Sequence, residues 1–186
     1  MSHPSRDGAL LTADEFLQLT APEAERWELL DGVVVVSPSP SLRHQLLAKR
    51  IFAHLLAAEG RGVGTAWWGI DSVLGPHDVL QPDVLFVLSE HAGVLQPHAI
   101  VGPPDLVVEV LSPSTRRRDR VVKSRIYARA GVPTLWLVHP DDDRVDVYRR
   151  RRRTYGKPTT LRAPETLRHD DLPGVAVDLT ALFARS

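Results

Sequence analysis

Two acidic residues stand where the surrounding pattern calls for apolar ones. Glu109 interrupts Val107-Val108-Glu109-Val110-Leu111, and Asp83 opens Asp83-Val84-Leu85-Phe86-Val87 directly after Pro82. A lone carboxylate is costly to bury, so each group must be protonated, paired with a cationic side chain or bound to a metal. The chain's arginines could supply a salt bridge. Two carboxylates brought together from neighbouring strands would repel each other, and a hard divalent cation such as Mg²⁺ relieves that repulsion through oxygen ligands at about 2.1 Å. On the residues alone, ion pair and metal centre both stay open.

A cation follows in the right direction. Strand alternation puts Glu109 on one face with Val107 and Leu111, and Lys123 then shares a helical stripe with Val122, Ile126, Tyr127 and Ala130 that should face the sheet. The chain uses 3 lysines against 20 arginines, so a lysine between Arg116-Arg117-Arg118-Asp119-Arg120 and Arg125 departs from the local habit. A compact ammonium that can share a proton suits water activation better than a guanidinium. The alternative is a lysine that lays its stem along the helix edge.

Other polar groups are less specific. His44 follows Arg43 near the start of a long helix, where N-terminal amides favour phosphate; it reads equally as a surface or cap histidine. The remaining histidines show neither HxxxH nor HExxH spacing, and neither a G-x-S-x-G elbow nor a P-loop is present. The run Arg149 to Arg153, around Arg151, and the arginines Arg116, Arg117 and Arg118 are either solvated turns or contacts to a phosphate backbone. Asp141-Asp142-Asp143 lacks strand alternation and is expected to be a turn.

Residues so placed need a scaffold, and the chain's punctuation outlines one. Thr12 and Glu15 make a capping-box pattern for a short helix ending before Pro22. Asp31-Gly32 between Trp27-Glu28-Leu29-Leu30 and Val33 to Val36 signals a tight β-hairpin. Ser41 caps a helix that runs to Gly60, with Leu42, Leu46, Ala53 and Leu56 near one stripe. Residues 63–74, 83–88 and 105–112 read as strands, Thr115 to Ala130 as a helix, and TLWLVHP and RVDVYRR as two more strands. A last short strand and a helical turn close the chain, so the order is mixed α/β.

Composition bounds the function classes. The 186 residues, 43% hydrophobic and 25% charged, suit one soluble domain over 1–186, with residues 1–11 as a flexible tail. Without cysteine there is no disulfide framework, thiolate zinc site or cysteine nucleophile. Basic and acidic residues balance at 23 each, so no global positive field holds nucleic acid. With neither a signal-peptide core nor an apolar run of roughly 20 residues, no membrane span and a cytoplasmic location are expected.

Several segments, in order, carry a resemblance: Trp27 to Gly32, Ser37 to Gln45, Gln81-Pro82-Asp83-Val84, Gly102 to Thr115, Arg118-Asp119 through Lys123, and Tyr127 to Pro133. Together, over about residues 12 to 150, they resemble the Uma-two family of restriction-endonuclease-like proteins, within the PD-(D/E)XK nuclease superfamily. The resemblance implies an α/β fold of restriction-endonuclease type, with a mixed central sheet flanked by helices, here preceded by the short helix and hairpin. It also implies Mg²⁺-dependent hydrolysis of DNA phosphodiesters, with Mn²⁺ as a substitute, and a homodimer. Asp83 and Glu109 match the metal ligands, joined by the carbonyl of Val110, and Glu28 matches an acidic residue from an earlier element. Glu28 would bind a second metal or a metal-bound water; otherwise it is a solvent-facing hairpin residue. The superfamily's usual lysine position falls on Leu111, a departure, and Lys123 would take over water activation from the helix. His44, Arg43, Arg116, Arg117, Arg118 and Arg151 would touch DNA. An inert scaffold that keeps the nuclease fold, or a hydrolase of another phosphodiester, competes with this reading.

Overall fold

A computed structural model describes residues 10–21, 25–112 and 119–185. Arg116, Arg117 and Arg118, and residues 1–9 of the expected tail, lie outside them.

The chain opens with α1 (Ala13–Leu17), whose Thr12–Glu15 capping box is formed as expected. The hairpin of β1 (Arg26–Leu30) and β2 (Val33–Ser37) follows. Asp31 and Gly32 both take positive φ, 49° and 81°, the backbone that a two-residue turn between twisted strands requires. Helix α2 (Leu42–Glu59) is capped by the Ser41 side chain, which accepts from the His44 N–H. The expected strand over 63–74 is two: β3 (Gly64–Trp67) and β4 (Ser72–Gly75) join different sheets across a break at Trp68 and Gly69. Then come β5 (Asp78–Leu80), β6 (Val84–Leu88), β7 (Ile100–Val101) and β8 (Leu106–Val110).

Asp119–Lys123 winds as a π-turn and leads into α3 (Ser124–Ala130), the described part of the expected helix. After it, β9 (Thr134–His139) and β10 (Arg144–Arg151) hold the two expected strands, separated by the Asp141–Asp143 turn. β11 (Thr154–Tyr155), β12 (Thr159–Arg162), β13 (Thr166–Arg168), β14 (Ala176–Asp178) and α4 (Leu179–Phe183) finish the described chain.

The main sheet runs β11-β10-β9-β8-β6-β3, with β12 also paired to β10. β8 and β9 are parallel and their neighbours antiparallel, so the sheet is mixed. A parallel pair needs a crossover, and the stretch that carries Lys123 and α3 is that crossover. β8 is buried on both faces, which explains its almost wholly apolar sequence. Leu106, Val108 and Val110 meet α2, α4 and β14 on one side, whereas Val107 and Leu111 meet Ile126 and Tyr127 of α3 on the other. A second sheet, β2-β1-β5-β4-β7, completes that other layer through Leu30, Leu80 and Ile100, and α1 packs on it with Phe16 against Leu29 and Val79.

Helix α2 turns a different side inward from the expected one. It buries His44, Leu47, Ile51, Leu55 and Ala58, spaced by three or four residues, and leaves Leu42 and Leu56 exposed. Among the described residues, no helix is long and apolar enough to cross a membrane.

Candidate active site

Alternation along β1 sets the first side chains. Leu29 faces α1, so Arg26, Glu28 and Leu30 face the main sheet. Glu28 is therefore completely buried, and the solvent-facing alternative for it is excluded. The register that pairs Val84 with Val108 in antiparallel β6 and β8 brings Asp83 level with Glu109. The Val110 N–H then donates to Asp83 Oδ2 at 2.7 Å, fixing that carboxylate against β8.

The π-turn delivers Lys123 into the same volume. Its Nζ lies 2.9 Å from Glu28 Oε1 and donates to Glu109 Oε1 and Oε2 at 3.1 and 3.3 Å, with both ends buried. Lys123 is inward and paired, so the helix-edge alternative falls away. Tyr127, one turn on, donates its hydroxyl to Glu109 Oε1 at 2.5 Å. Arg26 Nη1 donates to Asp83 Oδ1 at 2.8 Å, and its Nη2 lies 3.8 Å from Glu28 Oε2. His44, in the first turn of α2, puts Nε2 3.1 Å from Asp83 Oδ2. Glu28 Oε1 also accepts the Gln81 N–H at 3.0 Å. The result is a line of alternating charge from Tyr127 and Glu109 through Lys123, Glu28 and Arg26 to Asp83 and His44.

These pairings govern protonation. Burial alone would raise the Asp83 carboxyl, but the hydrogen bond and charge of His44, then Arg26 and Lys123, hold it down at about 2. His44 responds in kind: burial lowers it, and contact with Asp83 outweighs burial, leaving it raised. Burial also pushes Glu28 up, and Lys123 and Arg26 more than offset that. Burial, then the neighbouring Glu109, drives the Tyr127 phenol far above its usual value, so Tyr127 is a hydrogen-bond donor here and not a base.

A pH dependence of stability follows. The Asp83 contribution is complete above the ordinary value of 3.8 and is lost as pH falls toward 2, a span worth about 2 kcal/mol. The His44 contribution has the opposite sign: it is complete below 6.5 and lost as pH rises through the raised folded value. Between about pH 6 and about pH 9 the wild type should therefore lose a component of stability that His44→Asn lacks. Urea midpoints at those two pH values measure it, and equal losses in both proteins would remove the ion pair with Asp83.

The donor set suits a hard cation. Two buried carboxylates, Glu28 and Glu109, and the half-buried Asp83, whose side chain is 5% exposed, face two permanent or near-permanent cations, and Glu28 Oε2 has no hydrogen-bond partner despite its burial. An orphaned carboxylate oxygen of this kind calls for an ion or water. Among the described residues, however, no three His, Asp or Glu side chains are arranged to close on one ion, because Lys123 and Arg26 hold the carboxylates instead. An incoming divalent ion would have to exchange with those ammonium and guanidinium contacts.

The other candidate residues are placed apart. Arg43 donates to the carbonyls of Phe183 and Ala184 and to Asp143, tying α2 to the chain's C-terminal end. Arg151 is exposed beside the turn between β10 and β11, where Arg152 takes φ 59°. Leu111 is buried in the apolar layer under α3 and offers no charge. Sequence reasoning missed Arg26 and Tyr127. Arg26 stands two residues before Glu28 on one strand face, and Tyr127 is a hydroxyl on a stripe otherwise built to be buried; each was a legible signal.

Residues 13–181 match the family profile Uma2, described as "Putative restriction endonuclease". A solved structure from Anabaena variabilis, described as "a putative nuclease belonging to DUF820", superposes with a TM-score of 0.79 over 93% of this chain and 97% of that chain. At 19% identity that likeness is one of fold, and it bears out the restriction-endonuclease-like architecture expected from the sequence. No curated protein matches the chain. With nearly its whole length covered by the profile, the chain belongs to the Uma2 family.

Proposed function

We propose that the protein is a divalent-metal-dependent endonuclease that hydrolyses DNA phosphodiester bonds at the Glu28–Asp83–Glu109–Lys123 cluster. The observation that carries this reading is Lys123 itself. A buried ammonium within 3.1 Å of carboxylates from two different sheets supplies the amine that the Leu111 position lacks. A lysine kept only for packing would be an expensive choice there, since desolvating an ion pair cancels most of its Coulombic gain.

In this reading Asp83, Glu109 and the Val110 carbonyl hold Mg²⁺ or Mn²⁺, with Glu28 at a second ion or a bound water. When bound, such an ion neutralises phosphate charge and acidifies water. Lys123, freed from part of its contact with Glu109, orients the attacking water and stabilises the charge that develops on the phosphoryl oxygens. Tyr127 keeps Glu109 from rotating, and Arg26 and the Val110 N–H do the same for Asp83. His44, made more basic by its contact with Asp83, offers a donor to a phosphate oxygen at the mouth of the site.

The test is nicking of supercoiled DNA by the purified protein in Mg²⁺, Mn²⁺ or EDTA, beside Asp83→Asn. Nicking in either metal, absent in EDTA and absent in the variant, is the expected result. Equal nicking by both proteins would identify a contaminant and end the proposal. A folded wild type that leaves the plasmid intact in both metals would favour the inert scaffold.

A further inference from the structure

Helix α2 leaves an apolar side uncovered next to the acidic cluster. Leu42 is 90% exposed, and Phe52 lies only partly buried further along the helix. Trp68, at the break between β3 and β4, is 66% exposed, and its ring meets Phe52 edge-on with centroids 4.6 Å apart. The Gly69 backbone beside it has φ 59° and open space where a side chain would stand. A groove of about 790 Å³ runs between α2 and this turn; its floor reaches Asp83 and His44, and Lys49 and Arg26 also line it.

An indole with a free face costs solvation unless something covers it, and here it is held in place by Phe52. An exposed lysine, Lys49, on the wall, an aromatic platform and the mouth of a buried acid site are together the parts of a single-strand nucleic acid groove. A base inside a duplex has both faces stacked already and cannot use the platform. A protein segment would use the apolar wall but would gain nothing from cations placed toward the acidic cluster.

We propose that this groove seats one unpaired nucleobase of the strand to be cut, stacked on Trp68, which makes the substrate single-stranded or locally unpaired DNA. This rests on the nuclease reading and assigns its substrate class. The nucleotide beside the seated base places its phosphate toward His44 and Asp83, and Lys49 meets the backbone at the rim.

The test measures binding without cleavage. A labelled oligothymidylate of about 12 nucleotides and a labelled hairpin duplex are titrated in EDTA with wild type, Trp68→Ala, Trp68→Phe and Trp68→Leu, each checked for wild-type circular dichroism. Loss of one stacked base weakens single-strand affinity about ten-fold in the Ala and Leu variants, whereas Phe keeps most of it and duplex binding stays within about two-fold. Trp68→Leu preserves the apolar contact with Phe52, so single-strand binding that survives in it overturns the proposal. So does an equal loss on both DNAs, wild-type protein that does not bind oligothymidylate, or unchanged DNA binding with altered sedimentation of the protein alone, which would assign the groove to a protein contact. The two readings fail separately: protein that binds oligothymidylate through Trp68 and never cuts ends the nuclease, and full cutting by Trp68→Ala ends the base seat.

Discussion

Lys123→Met should unfold at a urea midpoint lower by the equivalent of about 3–5 kcal/mol at neutral pH and should lose metal-dependent nicking by about 10²–10⁴-fold. The stability loss comes from what the lysine leaves behind. Glu28 and Glu109 are both buried, and the ammonium touches both. Without it, burial, already the largest influence on Glu28, goes unopposed by its strongest counter-charge, and the Glu28 pKa must rise. A carboxyl with a raised folded value stabilises below its unfolded pKa and destabilises as pH climbs. The deficit of the variant should therefore shrink as pH falls toward about 5, where one carboxyl binds a proton and the repulsion ends. Lost packing alone would give a deficit independent of pH, so urea midpoints at about pH 5 and about pH 8 separate the causes. Lys123→Arg should restore part of the stability and little of the nicking, because a larger planar guanidinium does not fit the volume from which the compact ammonium orients water. Nicking at the wild-type rate by Lys123→Met would remove the lysine from the chemistry.

Much of this site was legible because it broke local rules. Glu109 inside LVVEV and Lys123 on an apolar stripe each needed a partner to be buried, and the structure joins them at 3.1 Å. Strand period and helix period each give a direction, and two directions converging on one layer define a contact. Arg26 was harder, since a residue at the start of a strand reads as exposed until the opposite sheet covers it. The inward side of α2 was misread for a different reason. Leu46, Leu47, Ile51, Phe52, Leu55 and Leu56 give that helix two overlapping apolar stripes, and period alone cannot choose between them. The main sheet takes the stripe that runs from His44 to Ala58, and the other is left to line the Trp68 groove. The second sheet was illegible for want of length. β5 has three residues and β7 two, too few to show alternation, and the pairings of β5 with β1 and of β7 with β4 join segments far apart in the chain.

Glu109→Gln should be the sharpest probe of the reaction, because it changes charge while sparing most of the structure. The amide keeps the volume of the side chain and an oxygen to accept the Tyr127 hydroxyl, and Lys123 retains Glu28 at 2.9 Å. Removing the charge from an acceptor of one Tyr127 and two Lys123 hydrogen bonds costs about 3–5 kcal/mol, and circular dichroism checks that the variant is folded. Asp83→Asn is less discriminating, since the Asp83 carboxylate answers to Arg26, His44 and the Val110 N–H together, and removing its charge leaves the half-buried Arg26 with less compensation. If Glu109 binds the ion as proposed, its amide should lower the nicking rate by about 10³-fold or more, with weaker Mn²⁺ binding in calorimetry. Glu28→Gln should cost less, because Glu109 stands level with Asp83 across β6 and β8, whereas Glu28 reaches the cluster from the second sheet and in this reading contributes through a second ion or a water. An inverted order, with Glu28→Gln inactive and Glu109→Gln near wild type, would move the reacting centre to the β1 side of Lys123. Equal, small effects from both would leave the charges with a structural task alone, as they have in the inert-scaffold reading.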